Sequence, residues 1–250
     1  MNYKLFYFTI SLLAWIPIVH AQDINSANTL RDQYKESEAL TAYNNIYSSD
    51  KSNYEAIYNI SYMNSRIGWR AVDATSKKTY YTRAKEFADK AIKLQPNDAE
   101  SNFVMAVAMG RIAEIASAKD RVAASRDIKK FSDLAIKNNS RHAGAWHVLG
   151  KWNYRVANLS FAEEAAAKLL FGGIPDKASN DRAVECYLNA IKYGKQNMMY
   201  HYDLAMVYIK MGKKAEAKEQ VKKGLTIYTM NPDNAIVRRD LEKLQKELGN

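Results

Sequence analysis

This chain holds few of the residues that break helices, close disulfides or carry out reactions. Among 250 residues there are one cysteine, four prolines and ten glycines. A lone cysteine, Cys186, rules out an intramolecular disulfide framework and a four-thiolate zinc site. Within the apolar pattern "AVECYLNAI" it reads as a small core residue. Few turn formers and no β-branched runs exclude a sandwich or barrel built from short strands. The sequence has no phosphate-binding glycine loop, no paired-histidine zinc helix and no nucleophile elbow. Outside the first twenty residues the histidines are His142, His147 and His201, none with a histidine four positions away. These absences predict a non-enzymatic chain without metal or cofactor.

The amino terminus, "MNYKLFYFTISLLAWIPIVHAQ", carries Lys4, an apolar run from Leu5 to Val19, and small residues at Val19 and Ala21. That layout predicts a secretory signal peptide over residues 1–21 and an exported protein, periplasmic or secreted. Retention by an uncleaved N-terminal anchor is the alternative, although the run is short and contains Pro17. No later segment is long and apolar enough to span a bilayer, so a cleaved chain is not an integral membrane protein. Formal charge is +10, and Lys4 is the only charged residue before Ala21. A basic surface favours an acidic protein or peptide segment or an anionic phospholipid, and export sets nucleic acid aside.

What the chain does contain is alanine and tyrosine at spacings of three, four and seven, the signature of packed helices. In "YYTRAKEFADKAIKLQPNDAE", Ala84 and Ala91 are followed by Pro96, as in the second helix of a tetratricopeptide repeat. Ala183 and Ala190 repeat the pair, and Ala217 with Gly224 repeats it more weakly. First helices are marked by Trp146, Leu149 and Gly150, and by Leu204, Ala205 and Tyr208. Repeat starts then fall at Tyr54, Ala99, Ala143 and Met198, with separations of 45, 44 and 55 residues. The usual period is about 34, so the repeats are lengthened or interrupted. Val237, Leu241, Leu244 and Leu248 form one stripe on a charged final helix, the pattern of a terminal cap. "INSANTLRDQYKESEALTAYNNIY" supplies an opening helix. The expected fold is all-α: one tetratricopeptide-like (TPR-like) superhelical domain over residues 22–250, with an inserted helix and a C-terminal capping helix.

The excess length before Met198 lies in "WNYRVANLSFAEEAAAKLLFGGIP". Ser160 and Glu163 have capping-box spacing, so a helix is expected to begin near Leu159. Phe161, Ala162, Ala165, Ala166 and Leu169 make its apolar face, Glu163, Glu164 and Lys168 point elsewhere, and Gly172, Gly173 and Pro175 end it. From about Ala84 onward, "AWHVLGKWNYRVANLSFAEEAAAKLLFGGIP", "RAVECYLNAIKYG" and "YDLAMVYIKMGKKAEAKEQVKKGL" resemble the regulator of microtubule dynamics family of tetratricopeptide-like proteins. The resemblance implies the repeat fold. It also implies an apolar-ligand groove, because one animal member is linked to phospholipid binding. Relatives tend to carry basic residues where this chain has Glu163 and Glu164. A chain with a signal peptide does not meet cytoplasmic microtubules, so that role is not carried over.

One pattern suggests a ligand-binding face. Four rows at i, i+4 and i+8 share one side of the four first helices. They are Tyr58, Tyr62 and Arg66; Phe103, Val107 and Arg111; His147, Lys151 and Arg155; and Tyr202, Met206 and Lys210. First helices line the concave surface of such arrays, so the rows would form an aromatic band beside a basic rim. The rival explanation is ordinary: the rings pack, and the cations complement helix dipoles. Two functions follow. One is an exported scaffold gripping a protein or peptide segment by its concave face; the other is a module that binds or carries phospholipid or another apolar ligand.

Overall fold

A computed structural model describes residues 23–171 and 178–249. The expected signal peptide and the stop residues Gly172, Gly173 and Pro175 lie outside the described residues. Twelve helices and no strand are found among the described residues. They are α1 (Ile24–Asp32), α2 (Glu36–Ser49), α3 (Tyr54–Arg70), α4 (Ala74–Leu94), α5 (Ala99–Glu114) and α6 (Ala118–Asn138). Then come α7 (Ala143–Ala157), α8 (Phe161–Phe171), α9 (Asn180–Tyr193), α10 (Met198–Lys210), α11 (Lys214–Leu225) and α12 (Asn234–Leu248).

The helices α3, α5, α7 and α10 begin at the four residues read as repeat starts. Local chemistry sets these boundaries. Asn53, Asp98, His142 and Asn197 each accept a hydrogen bond from the exposed backbone N–H groups of the first turn, which have no partner inside the helix. The pairs α3 with α4, α5 with α6, α7 with α9, and α10 with α11 pack side by side. Ala84, Ala91, Ala183, Ala190 and Ala217 are fully buried at those contacts. Gly224 brings α11 against the cap: a Cβ there would lie 2.8 Å from Leu241 Cδ1. All four stripe residues of α12 are buried, and Cys186 is a buried free thiol whose pKa is pushed up to about 12, mainly by burial.

The structure corrects two expectations. The opening segment is two helices, because Tyr34 adopts φ 59°. Lys35 N–H reaches Leu30 O at 2.9 Å and Tyr34 N–H reaches Arg31 O at 2.9 Å, the Schellman pattern that ends a helix through a left-handed residue. The inserted helix α8 is also turned the other way from its expected face. Glu163 and Ala167 are buried, whereas Phe161 is 88% and Leu169 80% exposed. The capping box forms as expected, with Ser160 N–H donating to Glu163 Oε2 at 2.9 Å. Its carboxylate then also accepts from Arg121 Nη1 at 2.8 Å. Arg121 is itself fixed by bonds to Ala113 O and Ala116 O, both 3.1 Å. Satisfying that carboxylate requires the Glu163 side of α8 to face α6, the helix against which α8 packs among the described residues.

The Ser160 backbone N–H, more than any other group, holds the Glu163 carboxyl down at about 2, with Arg121 adding to the effect and burial opposing it. The unfolded carboxyl titrates at its ordinary value of 4.5, so its stabilisation is complete above that pH. It is lost as pH falls toward about 2, where the folded carboxyl also takes up a proton. Replacing Glu163 with Gln is expected to cost about 1.5–3 kcal/mol at neutral pH, the scale of hydrogen bonds made to a charged group. Hydrogen exchange of α8 amides should accelerate in this variant, with α3 and α4 unchanged.

Candidate functional site

The first helices line a half-open cavity of about 200 Å³ on the inner side of the array, walled by α3, α5, α7 and the start of α10, with α6 and α8 at its far side. That is larger than the ~150 Å³ engineered cavity that admits benzene. One part is aromatic and charged: Tyr62, Trp69, Phe103 and Tyr200 with Arg111 and Lys151. The other part lies between α6, α7 and α8 and is mostly apolar, with Val122, Ile128, Trp152, Val156, Leu159 and Ala167. The inserted helix is thus a wall of the cavity.

Eight of the twelve residues in the four rows reach it. Tyr62, Arg66, Phe103, Val107, Arg111, His147, Lys151 and Arg155 line the cavity, and Tyr58, Tyr202, Met206 and Lys210 do not. Tyr58 packs into the core beneath the first helices, its ring 5.2 Å from that of Tyr54. Tyr202 and Met206 pack in the cluster beneath α12, and Lys210 is exposed. The capping helix covers the side of α10 that continues the rows, so α10 offers the cavity Met199 and Tyr200 instead.

The basic rim is largely neutralised from within the fold. Arg111 Nη1 bonds Glu114 Oε1 at 2.8 Å, and Lys151 Nζ is 3.9 Å from the same carboxylate. His147 Nε2 meets Asp203 Oδ2 at 2.6 Å. Burial alone would raise the Asp203 pKa, but the His147 hydrogen bond and the charges of Lys151, His147 and Arg111 hold it below the usual range. Arg155, exposed at the cavity edge, has no carboxylate partner among the described residues.

Arg66 belongs to a four-charge clasp. Its Nε bonds Glu36 Oε1 at 2.5 Å, and its Nη2 lies 3.0 Å from Asp233 Oδ2 and 2.8 Å from Asn231 Oδ1. Arg70 pairs with the same two carboxylates. Burial would lower the Arg66 pKa, but Tyr62, Asp233 and Glu36 raise it well above its ordinary value. Trp69 joins the cluster beneath the final helices. The end of α3 therefore meets the loop leading into α12, and the array closes from its first repeat to its cap.

Trp152 and Gly110 were not among the sequence candidates. Trp152 is 5% exposed and its Nε1 has no hydrogen-bond partner among the described residues; the same holds for Arg111 Nε. Gly110 lines the cavity, and a Cβ there would meet nothing within 4 Å. A glycine inside a helix costs about 0.5–1 kcal/mol relative to alanine, and no packing contact explains this one. Its sequence signal was an isolated glycine in "AVAMGRIAE", a helical pattern that needs none.

Stacked antiparallel helix pairs with small residues at their contacts place the chain in the tetratricopeptide-like class of helical repeat. The fold is shared with TTC0263, a thermophilic TPR protein of Thermus thermophilus, at TM-score 0.62 and 16% identity, over 88% of this chain and 96% of that one. The family profile for regulator of microtubule dynamics protein 1-3 matches residues 23–249, and the chain belongs to that family. Regulator of microtubule dynamics protein 3 of Bos taurus is 29% identical over 181 residues, 71% of this chain and 38% of that protein. Regulator of microtubule dynamics protein 2 of Homo sapiens is 24% identical over 182 residues, 71% of this chain and 43% of that protein. This chain therefore spans well under half the length of these two relatives.

Proposed function

We propose that this protein is a non-enzymatic binding module whose inner cavity takes the apolar part of an amphiphile with an acidic end. The observation that carries this reading is a cavity of about 200 Å³ whose lining joins apolar and aromatic side chains, among them Val122, Ile128, Trp152 and Val156, to the cations Arg111, Lys151 and Arg155. Arg155, at the edge and without a carboxylate partner among the described residues, suits a carboxylate or phosphate head. The apolar leader from Leu5 to Val19 supports export, which would place the ligand in the envelope or outside the cell. The microtubule role in the relatives' names is not part of the proposal.

Native mass spectrometry of the purified protein tests the reading. A bound amphiphile, or uptake of one from liposomes, is expected, and Arg155→Glu should weaken an anionic ligand about tenfold more than a neutral one of equal chain length. Protein that stays ligand-free under both conditions refutes it. The repeat fold itself favours a second reading, a protein segment that inserts one apolar side chain. Pull-down from envelope extract would then recover a stoichiometric partner that is lost on Arg111→Glu plus Arg155→Glu.

A further inference from the structure

We propose that the outer face of α8 docks the protein on an anionic lipid bilayer. Phe161, Ala165 and Leu169 fall at i, i+4 and i+8 and form one outward stripe, with Phe161 88% and Leu169 80% exposed. Ala162 is exposed beside them. This arrangement inverts the usual surface helix, which turns its large apolar residues toward the core. The inward side holds Glu163 and Ala167; the Arg121 bond to Glu163 fixes this orientation, so rotating the stripe inward would break that ion pair.

The size of the face decides its occupant. Eleven residues at ~1.5 Å rise make a stripe only ~16 Å long. Such a strip covers a small part of the ~800 Å² per partner that a stable protein interface buries, so a second copy is a poor fit. A bilayer needs no matching shape; it needs apolar side chains that reach the acyl boundary and cations at headgroup level. Lys168 is exposed next to Leu169, and the chain carries 37 Lys and Arg against 27 Asp and Glu. Glu163 is held inside the fold by Arg121, leaving Glu164 as the exposed carboxylate of α8. The same helix lines the cavity through Glu163 and Ala167, so docking would place a cavity wall beside the lipid.

The test is vesicle flotation of the chain without its apolar leader, whose described residues contain all twelve helices. Vesicles are phosphatidylcholine alone or mixed with phosphatidylglycerol. The protein is expected to float with the mixed vesicles. Phe161→Ser plus Leu169→Ser should reduce partition about tenfold, and Lys168→Glu should reduce it on the mixed vesicles only. Uptake of an apolar fluorescent probe in vesicle-free buffer should be unchanged in all three proteins, which separates failure of docking from failure of the cavity reading. Absence of wild-type flotation, or flotation unaffected by the double serine variant, overturns the proposal. So does a dimer in analytical ultracentrifugation that the double serine variant dissolves, because the face would then belong to a second copy.

Discussion

Asp233→Ala is expected to destabilise the protein by about 3–5 kcal/mol, the cost of removing one partner from a buried charge network. Arg66 and Arg70 would keep only Glu36 among their carboxylates, with side chains that are 13% and 19% exposed and cannot turn fully to water. The opposing term is the desolvation of four charges, and it is already incurred when the network forms. For that reason, replacing all four by apolar residues should cost less than replacing one. The loss should also be spatially specific. The clasp joins α2 and α3 to the residues before α12, so hydrogen exchange should rise in α2, the end of α3 and α12 before α5 and α6. Denaturant unfolding with exchange mass spectrometry measures both. A loss below about 1 kcal/mol, the size of a surface ion pair, would show that the array does not depend on this closure.

Gly110→Leu should move stability and binding in opposite directions. Apart from the backbone of its own helix and its chain neighbours, no atom lies within 4 Å of the position a Cβ would take, and Gly110 lines the cavity, so the new side chain fills open space there without displacing packing. Removing a helical glycine should stabilise α5 by about 0.5–1 kcal/mol. The leucine occupies part of a cavity of about 200 Å³, so apolar-probe affinity should fall at least about tenfold. Thermal unfolding and probe titration on the same sample check both effects. A variant that is more stable and still binds like the wild type would place the ligand elsewhere. Gly110→Ala adds one methyl and should gain most of the stability with a smaller binding loss, which makes the pair an internal control.

Much of the fold was legible because helices are specified locally. The starts at Tyr54, Ala99, Ala143 and Met198, the Ser160 to Glu163 box and the stripe on α12 all follow from residues within a few turns of one another. The clasp was not legible: Arg66 and Asp233 are far apart in sequence, and their meeting depends on rotation accumulated over every packed pair. Row spacing could show that Tyr202 and Met206 share a side of α10, but not that α12 would cover that side. For α8, the size of Phe161 and Leu169 argued for burial. What decided the outcome was Arg121, a residue of another helix whose guanidinium was already held by two carbonyls. Tyr34 hid the first helix break, because a left-handed terminus usually announces itself with glycine.

The clasp also bears on how such a chain can change length. An open solenoid tolerates duplication or loss of a unit, because each unit touches only its neighbours. Here the first repeat is bonded to the residues that lead into the cap, so the circumference is set. An added repeat would carry Asp233 away from Arg66 and Arg70. The surplus before the fourth repeat is instead taken up without adding a unit, as α8 laid against α6 and lining the cavity. The number of repeats is thereby part of the fold.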